Sequence, residues 1–196
     1  MLHELLPFTI FAFVGAFTPG PNNTIAILTG ANGGFRAVLP HLLGVPAGFA
    51  LMTALSGAGL GALLIAMPRW NQLLRWLGAI YLLYLAWGLA VTEARRTGGA
   101  AAFRRLNFAQ SFAFQFSNPK GWAMALATVT TFAVRSPGAL AAVIAIWTLA
   151  VIGSVALWAA MGQALTGLLA NRLRRRAFNL IMALLLAATA IAGARP

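Results

Sequence analysis

The chain has 196 residues, 61% hydrophobic and 8% charged, with a net charge of +12, no cysteine and no aspartate. A soluble domain carries about 25% charged residues, so too little polar side chain is present to cover a globule in water. The absence of thiols also excludes disulfides and thiolate-bound metals.

Charge-free runs locate the elements. Residues 5–35, 37–68 and 136–171 hold no Asp, Glu, Lys or Arg, and each exceeds the roughly 20 residues needed to cross a bilayer as a helix. Intervals 76–92 and 177–194 are just long enough, and the run from Leu106 to Val134 is broken only by Lys120. Six spans are predicted, at about 5–30, 38–66, 70–91, 107–133, 138–166 and 177–194. They are continuously apolar rather than alternating, which predicts helices and not a β-barrel. The fold expected is an all-α integral membrane protein with one membrane domain over residues 1–196. The start, Met1-Leu2-His3-Glu4, has no basic region, so the first run reads as a mature span and not a removable signal.

The arginines set an orientation. With six spans, Arg36, Arg95, Arg96, Arg104, Arg105, Arg172, Arg174, Arg175 and Arg176 share one side, and Arg69, Arg75, Arg135 and Arg195 fall near the other. The positive-inside rule places the first group in the cytoplasm and both termini outside. Dispersed between spans, these arginines form no surface that would hold a nucleic acid. Topological anchoring explains all of them, and binding of some to anionic lipid headgroups has the same sequence signature.

Two polar interruptions stand inside apolar runs. The first span contains Phe17-Thr18-Pro19-Gly20-Pro21-Asn22-Asn23, and the fourth Gln115-Phe116-Ser117-Asn118-Pro119-Lys120-Gly121. Each lies partway along the first span of a three-span unit. Three being odd, the second unit enters the membrane from the opposite face, so the pattern is that of two inverted repeats with broken first and fourth helices. Repeat one covers about 1–92, a cytoplasmic loop about 92–106, and repeat two about 107–196. At ~1.5 Å per residue, both breaks fall near the midplane of a ~30 Å core. Proline removes a donor and frees a carbonyl, which lipid tolerates only where protein or a wet cavity satisfies it. Two such breaks at mid-depth make a site for a small polar solute, with Thr18, Pro19, Gly20, Pro21, Asn22, Asn23, Asn118, Pro119 and Lys120 as its candidate residues. The amides of Asn22, Asn23 and Thr24 open a half-helix toward an anion.

Lys120 is the one charge that must lie deep, and no intramembrane carboxylate exists to pair with it. A central lysine costs about 2.5–3.5 kcal/mol. It is expected either to bond carbonyls freed at the other break, fastening the broken helices, or to face a substrate carboxylate. Asn22, Asn23 and Asn118 read equally as interhelical glue. His41, near the cytoplasmic end of the second span, reads as an interfacial histidine, and Trp122 as core packing. Gly44-x-x-x-Gly48 and Gly57-x-x-x-Gly61 permit close helix contact within a protomer or across a homodimer.

These residues carry a family resemblance. Phe17 to Asn23, Gly33-Gly34-Phe35-Arg36, His41-Leu42-Leu43-Gly44, Arg75 to Leu82 with Trp87, and Phe112 to Lys120 resemble the ordered motifs of the lysine exporter (LysE/RhtB) family. Gln115 to Lys120 and Phe178 to Leu185 are most similar to its cysteine and O-acetylserine exporter branch. The resemblance spans essentially the whole chain. It implies a secondary transporter in the bacterial inner membrane that exports amino acids, with a proton as coupling ion. Exporters of basic amino acids in the family resemble one another in having an acidic residue in the membrane, which this chain lacks. The expected substrate is therefore a small neutral amino acid or derivative (cysteine-, O-acetylserine- or threonine-like). Its carboxylate would face Lys120 and its ammonium freed carbonyls near Thr18 and Asn118.

No Walker loop, Gly-x-Ser-x-Gly elbow or His-Glu-x-x-His pair appears, so no enzyme is expected. No cofactor or bound metal is expected either. The rival readings are a transporter of another solute such as a metal ion, disfavoured by the missing carboxylates and thiolates, and a non-transporting membrane scaffold subunit.

Overall fold

The computed structural model describes residues 2–59, 66–94, 105–132 and 136–194. Gly61, Arg95, Arg96, Arg104, Arg135 and Arg195 lie outside the described residues, as do the side chains of Glu4, Trp70, Arg75 and Glu93. Among the described residues the chain forms α-helices and two short 3-10 turns.

The first apolar run is two helices, α1 (Leu2–Phe17) and α2 (Pro21–Gly33), separated by residues 18–20. Pro21 opens α2 at its first turn, where a missing N–H costs nothing. A 3-10 turn, Phe35–Val38, leads into α3 (Leu39–Gly57). The predicted second span, to residue 66, runs partly over residues 60–65, which lie outside the described residues. The helix stops at Gly57 although the sequence stays apolar, because Gly59 takes a left-handed conformation (φ 93°) that only glycine adopts without penalty.

Next come α4 (Pro68–Ala94), α5 (Phe108–Phe116) and α6 (Pro119–Thr131), with a break at Ser117 and Asn118. Asn107 and Gln110 form a reciprocal capping box at the start of α5. Ser136 caps α7 (Pro137–Ala164) by accepting from the Ala139 amide at 3.1 Å. The last helix, α8 (Arg172–Ala194), begins five residues before the predicted 177. Asn171 is the reason, its side-chain oxygen accepting from the Leu173 amide at 2.9 Å. The stretches 35–57, 137–164 and 172–194 are each long and apolar enough to cross a membrane, and Leu5–Phe17 and Trp76–Ala90 are shorter apolar helices.

The principal packing pairs are α2 with α7, α1 with α7, α3 with α5, α6 and α7, and α4 with α8. Glycines allow the closest approaches. A Cβ on Gly30 would meet the backbone of Ala159, and one on Gly162 the backbone of Ile27 and Ala31, so α2 and α7 touch main chain to main chain. Gly44 and Gly48 do the same against the carbonyls of Phe108 and Phe112 on α5, both 2.6 Å from the position a Cβ would take. That glycine pair thus serves a contact inside the protomer. Gly57 faces Leu140 on α7.

Two apolar clusters result. One gathers Phe8, Val45, Phe49, Met52, Val151 and Val155 around Trp147, with the Phe49 and Trp147 rings 4.8 Å apart in an edge contact. The other joins Ile25 and Leu28 of α2 to Leu82, Leu85, Phe114 and Leu186. Trp122 packs against the first cluster, as expected for it.

Candidate functional site

Both interruptions are real breaks, and they are built differently. After α1, Thr18, Pro19 and Gly20 leave the helical path, with Gly20 extended. The Thr18 hydroxyl turns back to the Val14 carbonyl. Asn23, 4% exposed, donates to the carbonyls of Ala16 at 2.9 Å and Thr18 at 3.0 Å. The single Ser154 hydroxyl proton, from α7, is shared between the Ala16 carbonyl at 2.8 Å and the Asn23 oxygen at 3.1 Å. Freed carbonyls are expensive in an apolar interior, and here side chains from α2 and α7 satisfy them. Of the three amides expected to face an anion, that of Thr24 is committed to the Gly20 carbonyl at 2.9 Å. Those of Asn22 and Asn23 have no acceptor within the helix itself.

After α5, the amides of Ser117 and Asn118 close tight turns onto Phe114 and Gln115, each at 3.1 Å. The Trp122 indole donates to the Phe116 carbonyl at 2.8 Å. Lys120, in the first turn of α6, reaches across to the other break, where its ammonium donates to the Thr18 carbonyl at 2.7 Å. The fastening expected of Lys120 is therefore present. An ammonium has three donors, and this bond commits one of them. Asn118 stands at the position before α6 without a side-chain capping bond, is 3% exposed, and buries its side-chain oxygen with no donor against it.

Between the breaks lies a small cavity of about 50 Å³, measured as the space open to the centre of a water-sized sphere. Gly20, Pro21, Asn22, Asn23, Gln115, Asn118, Lys120 and Ser154 form its polar wall, and Val45, Phe49, Met124, Trp147, Val151 and Val155 face them. Six of the nine predicted residues thus line one space. The other three do not: Thr18 and Pro19 are exposed, and Pro119 packs on Gly193 of α8. Thr18 still takes part through its carbonyl. That carbonyl already accepts from Lys120 and Asn23, which corrects the expectation that it awaits a substrate ammonium.

The LysE type translocator family model matches residues 13–194. The chain belongs to this family. It is 33% identical to the cysteine/O-acetylserine efflux protein of Escherichia coli K12 over 191 residues, covering 95% of each chain. The proteins of the same name from Shigella sonnei and Escherichia coli O1:K1 are 33% and 32% identical over the same share. No solved structure matches. The translocator's resembling motifs converge in space: Phe17–Asn23 and Phe112–Lys120 carry the two breaks. Gly78, from the Arg75–Leu82 motif, lies so close to Ser117 that a Cβ there would meet its carbonyl.

Three polar groups escaped the sequence. Gln115 pairs with Asn22 amide to amide, at 2.9 and 3.2 Å, and also donates to the Ser111 carbonyl at 2.9 Å. Ser154 comes from α7, more than 130 residues from its partner Asn23. His41 is not interfacial. It is 1% exposed, with Nδ1 3.0 Å from the Ser111 hydroxyl and Nε2 3.2 Å from the Asn22 carbonyl. Arg36 is only five residues away in sequence, but Val38 between them is already buried and His41 reaches the backbone of Asn22 at the start of α2.

Proposed function

We propose that the translocator exports a small neutral amino acid or derivative, of the cysteine, O-acetylserine or threonine kind, through the cavity between its two breaks. One observation carries the reading. The same space is lined by a lysine ammonium with donors to spare and by Asn118, whose side-chain oxygen is buried without a donor, opposite a wall of Phe49, Met124 and Trp147. A zwitterion answers all of it: carboxylate to Lys120, ammonium to Asn118, uncharged side chain to the apolar wall. An extra side-chain cation would meet no carboxylate. The names of the relatives agree with this substrate class.

The packing pairs support inverted repeats over six spans. Exchanging α1–α2 with α5–α6, α3 with α7, and α4 with α8 turns the pairs α1–α7 and α2–α7 into α5–α3 and α6–α3, all of which occur. Such units rock about a fixed central site. The arginine distribution supports placement in the inner membrane with both termini outside. Against a metal-ion carrier, no three His, Asp or Glu side chains gather among the described residues.

Counterflow in proteoliposomes tests this, with cysteine, O-acetylserine, threonine, leucine and lysine as substrates. Exchange of a neutral substrate that falls at least about 100-fold in Lys120→Ala is expected, the loss of a buried charge-assisted contact. Faster exchange of lysine would overturn the substrate class. Full exchange in Lys120→Ala would overturn the site, and no exchange of any compound by folded protein would favour the scaffold.

A further inference from the structure

The α4–α8 pair carries an open groove, away from the central cavity, of about 570 Å³ by the same measure. Ala86 and Ala183, both buried, form its floor, and Trp87 and Leu184, 71% and 68% exposed, its rims. The lining is apolar apart from Tyr84. Register ties this groove to charge. Gln72 of α4 donates to the Ala194 carbonyl of α8 at 3.1 Å, which sets the antiparallel helices level at that point. Counting inward at equal rise, Ala90 stands level with Arg176. The groove therefore begins at the level of Arg176 and ends at Ala187, eleven residues on and about 16 Å deeper. That depth is one leaflet of a ~30 Å core. Arg176 also shares the groove's face of α8. It precedes Leu180 by four residues and Ala183 by seven, spacings that stack along one side of a helix. Arg172 lies one turn further out, and both arginines are exposed.

We propose that the groove binds one anionic phospholipid, an acyl chain along its apolar floor and the phosphate at Arg176 and Arg172. The chemistry changes at the depth such a lipid needs: carbon for one leaflet, then guanidinium N–H groups that can bond a phosphate two at a time. The same register sets Glu93 level with Leu173, so one carboxylate is set against Arg172, Arg174, Arg175 and Arg176 and this end stays basic. A zwitterionic phospholipid carries a cation beside its phosphate and gains less from these arginines. A second copy of the chain fits worse, because parallel copies sharing this face would bring two arginine clusters together at its rim. Lying across both helices, the lipid holds together the pair whose Gly78 and Gly193 back the second break, against Ser117 and Pro119. The proposal requires a membrane-embedded chain and is independent of the substrate.

The test has two arms. In the first, protein delipidated in mild detergent is returned to equimolar phosphatidylglycerol and phosphatidylcholine of identical chains and weighed by native mass spectrometry. One phosphatidylglycerol should be retained per chain, about tenfold over phosphatidylcholine, and the double variant Arg172→Gln, Arg176→Gln should retain the two equally. Both positions are exposed, and seven of the nine arginines assigned to that side remain, so fold and orientation are kept. No retained lipid, equal retention by the wild type, or a preference that survives in the double variant would overturn the site. The second arm places the acyl chain. The chain has no cysteine, so Leu184→Cys takes a single fluorophore on the groove rim. In vesicles, phosphatidylglycerol brominated on its acyl chain should quench it at least about twofold more than brominated phosphatidylcholine at the same fraction. Equal quenching would overturn the groove as the seat of the chain. A disulfide between two unlabelled Leu184→Cys copies in native membranes would overturn it also, by making a second copy the occupant.

Discussion

The two breaks share a proline and a place partway along an apolar run, yet one is finished and the other is not. At the first, the carbonyls of Ala16 and Thr18 are met by Asn23, Ser154 and Lys120. At the second, Asn118 keeps a buried oxygen with no donor, and Lys120 spends one N–H on the opposite break. On the proposed function, the first break is a fixed frame and the second the half of the site that meets the substrate. Buried polar atoms that a fold leaves unsatisfied mark where a ligand is worth looking for. Each variant below attacks one side of that contrast.

The largest effect should come from Gly78. A Cβ there would stand 2.9 Å from the Ser117 carbonyl carbon and closer still to its oxygen. Both atoms are backbone, held by the tight turn that forms the second break, so neither can swing aside. Gly78→Val should cost at least about 3 kcal/mol by overpacking and abolish folded yield, measured by monodisperse elution in detergent. Normal yield with normal counterflow would mean that α4 does not brace the break.

Much of this architecture was readable before any coordinates. Charge-free runs marked the helices because lipid excludes charge, and Pro19, Pro21 and Pro119 marked the breaks because proline cannot sustain the helical ladder. Lys120 declared itself by depth alone. What stayed hidden depended on which helices touch. Ser154 and Trp147 lie in a run that looks uniformly apolar, and nothing local says that α7 supplies a wall of the cavity. Gln115 was visible inside its motif, but only the approach of α2 makes it the partner of Asn22. His41 looked interfacial because sequence distance from Arg36 was read as depth, and the chain is already buried at Val38, which defeats that ruler. The end of α3 depends on Gly59, a single backbone angle without a hydrophobicity signal.

Removing the frame at the first break should cost less than filling Gly78. Asn23→Leu keeps the volume but strips two donors from the Ala16 and Thr18 carbonyls and one acceptor from Ser154. Ser154 and Lys120 still serve those carbonyls, which limits the loss to about 2 kcal/mol. Thermal unfolding in detergent should show it as a lowered midpoint, with exchange reduced in proportion to folded protein. A variant as stable as wild type but unable to exchange would reverse the assignment, making Asn23 a ligand and the first break as reactive as the second.

The smallest effect on stability, and the most discriminating, belongs to Asn118. Its buried oxygen gains nothing from the fold, so Asn118→Ala removes an unpaid desolvation of about 1–3 kcal/mol while losing little. Stability should stay within about 1 kcal/mol of wild type. Recognition should not. Without that oxygen a substrate ammonium has one acceptor fewer, and the KM for a neutral amino acid in counterflow should rise roughly tenfold, the loss of one charged hydrogen bond. Inhibition of exchange by the matching hydroxy acid, which has the carboxylate and side chain but no ammonium, should change less than about twofold. If both shift equally, the oxygen shapes the cavity instead of reading the ammonium. In that case the contrast between the two breaks is one of packing alone.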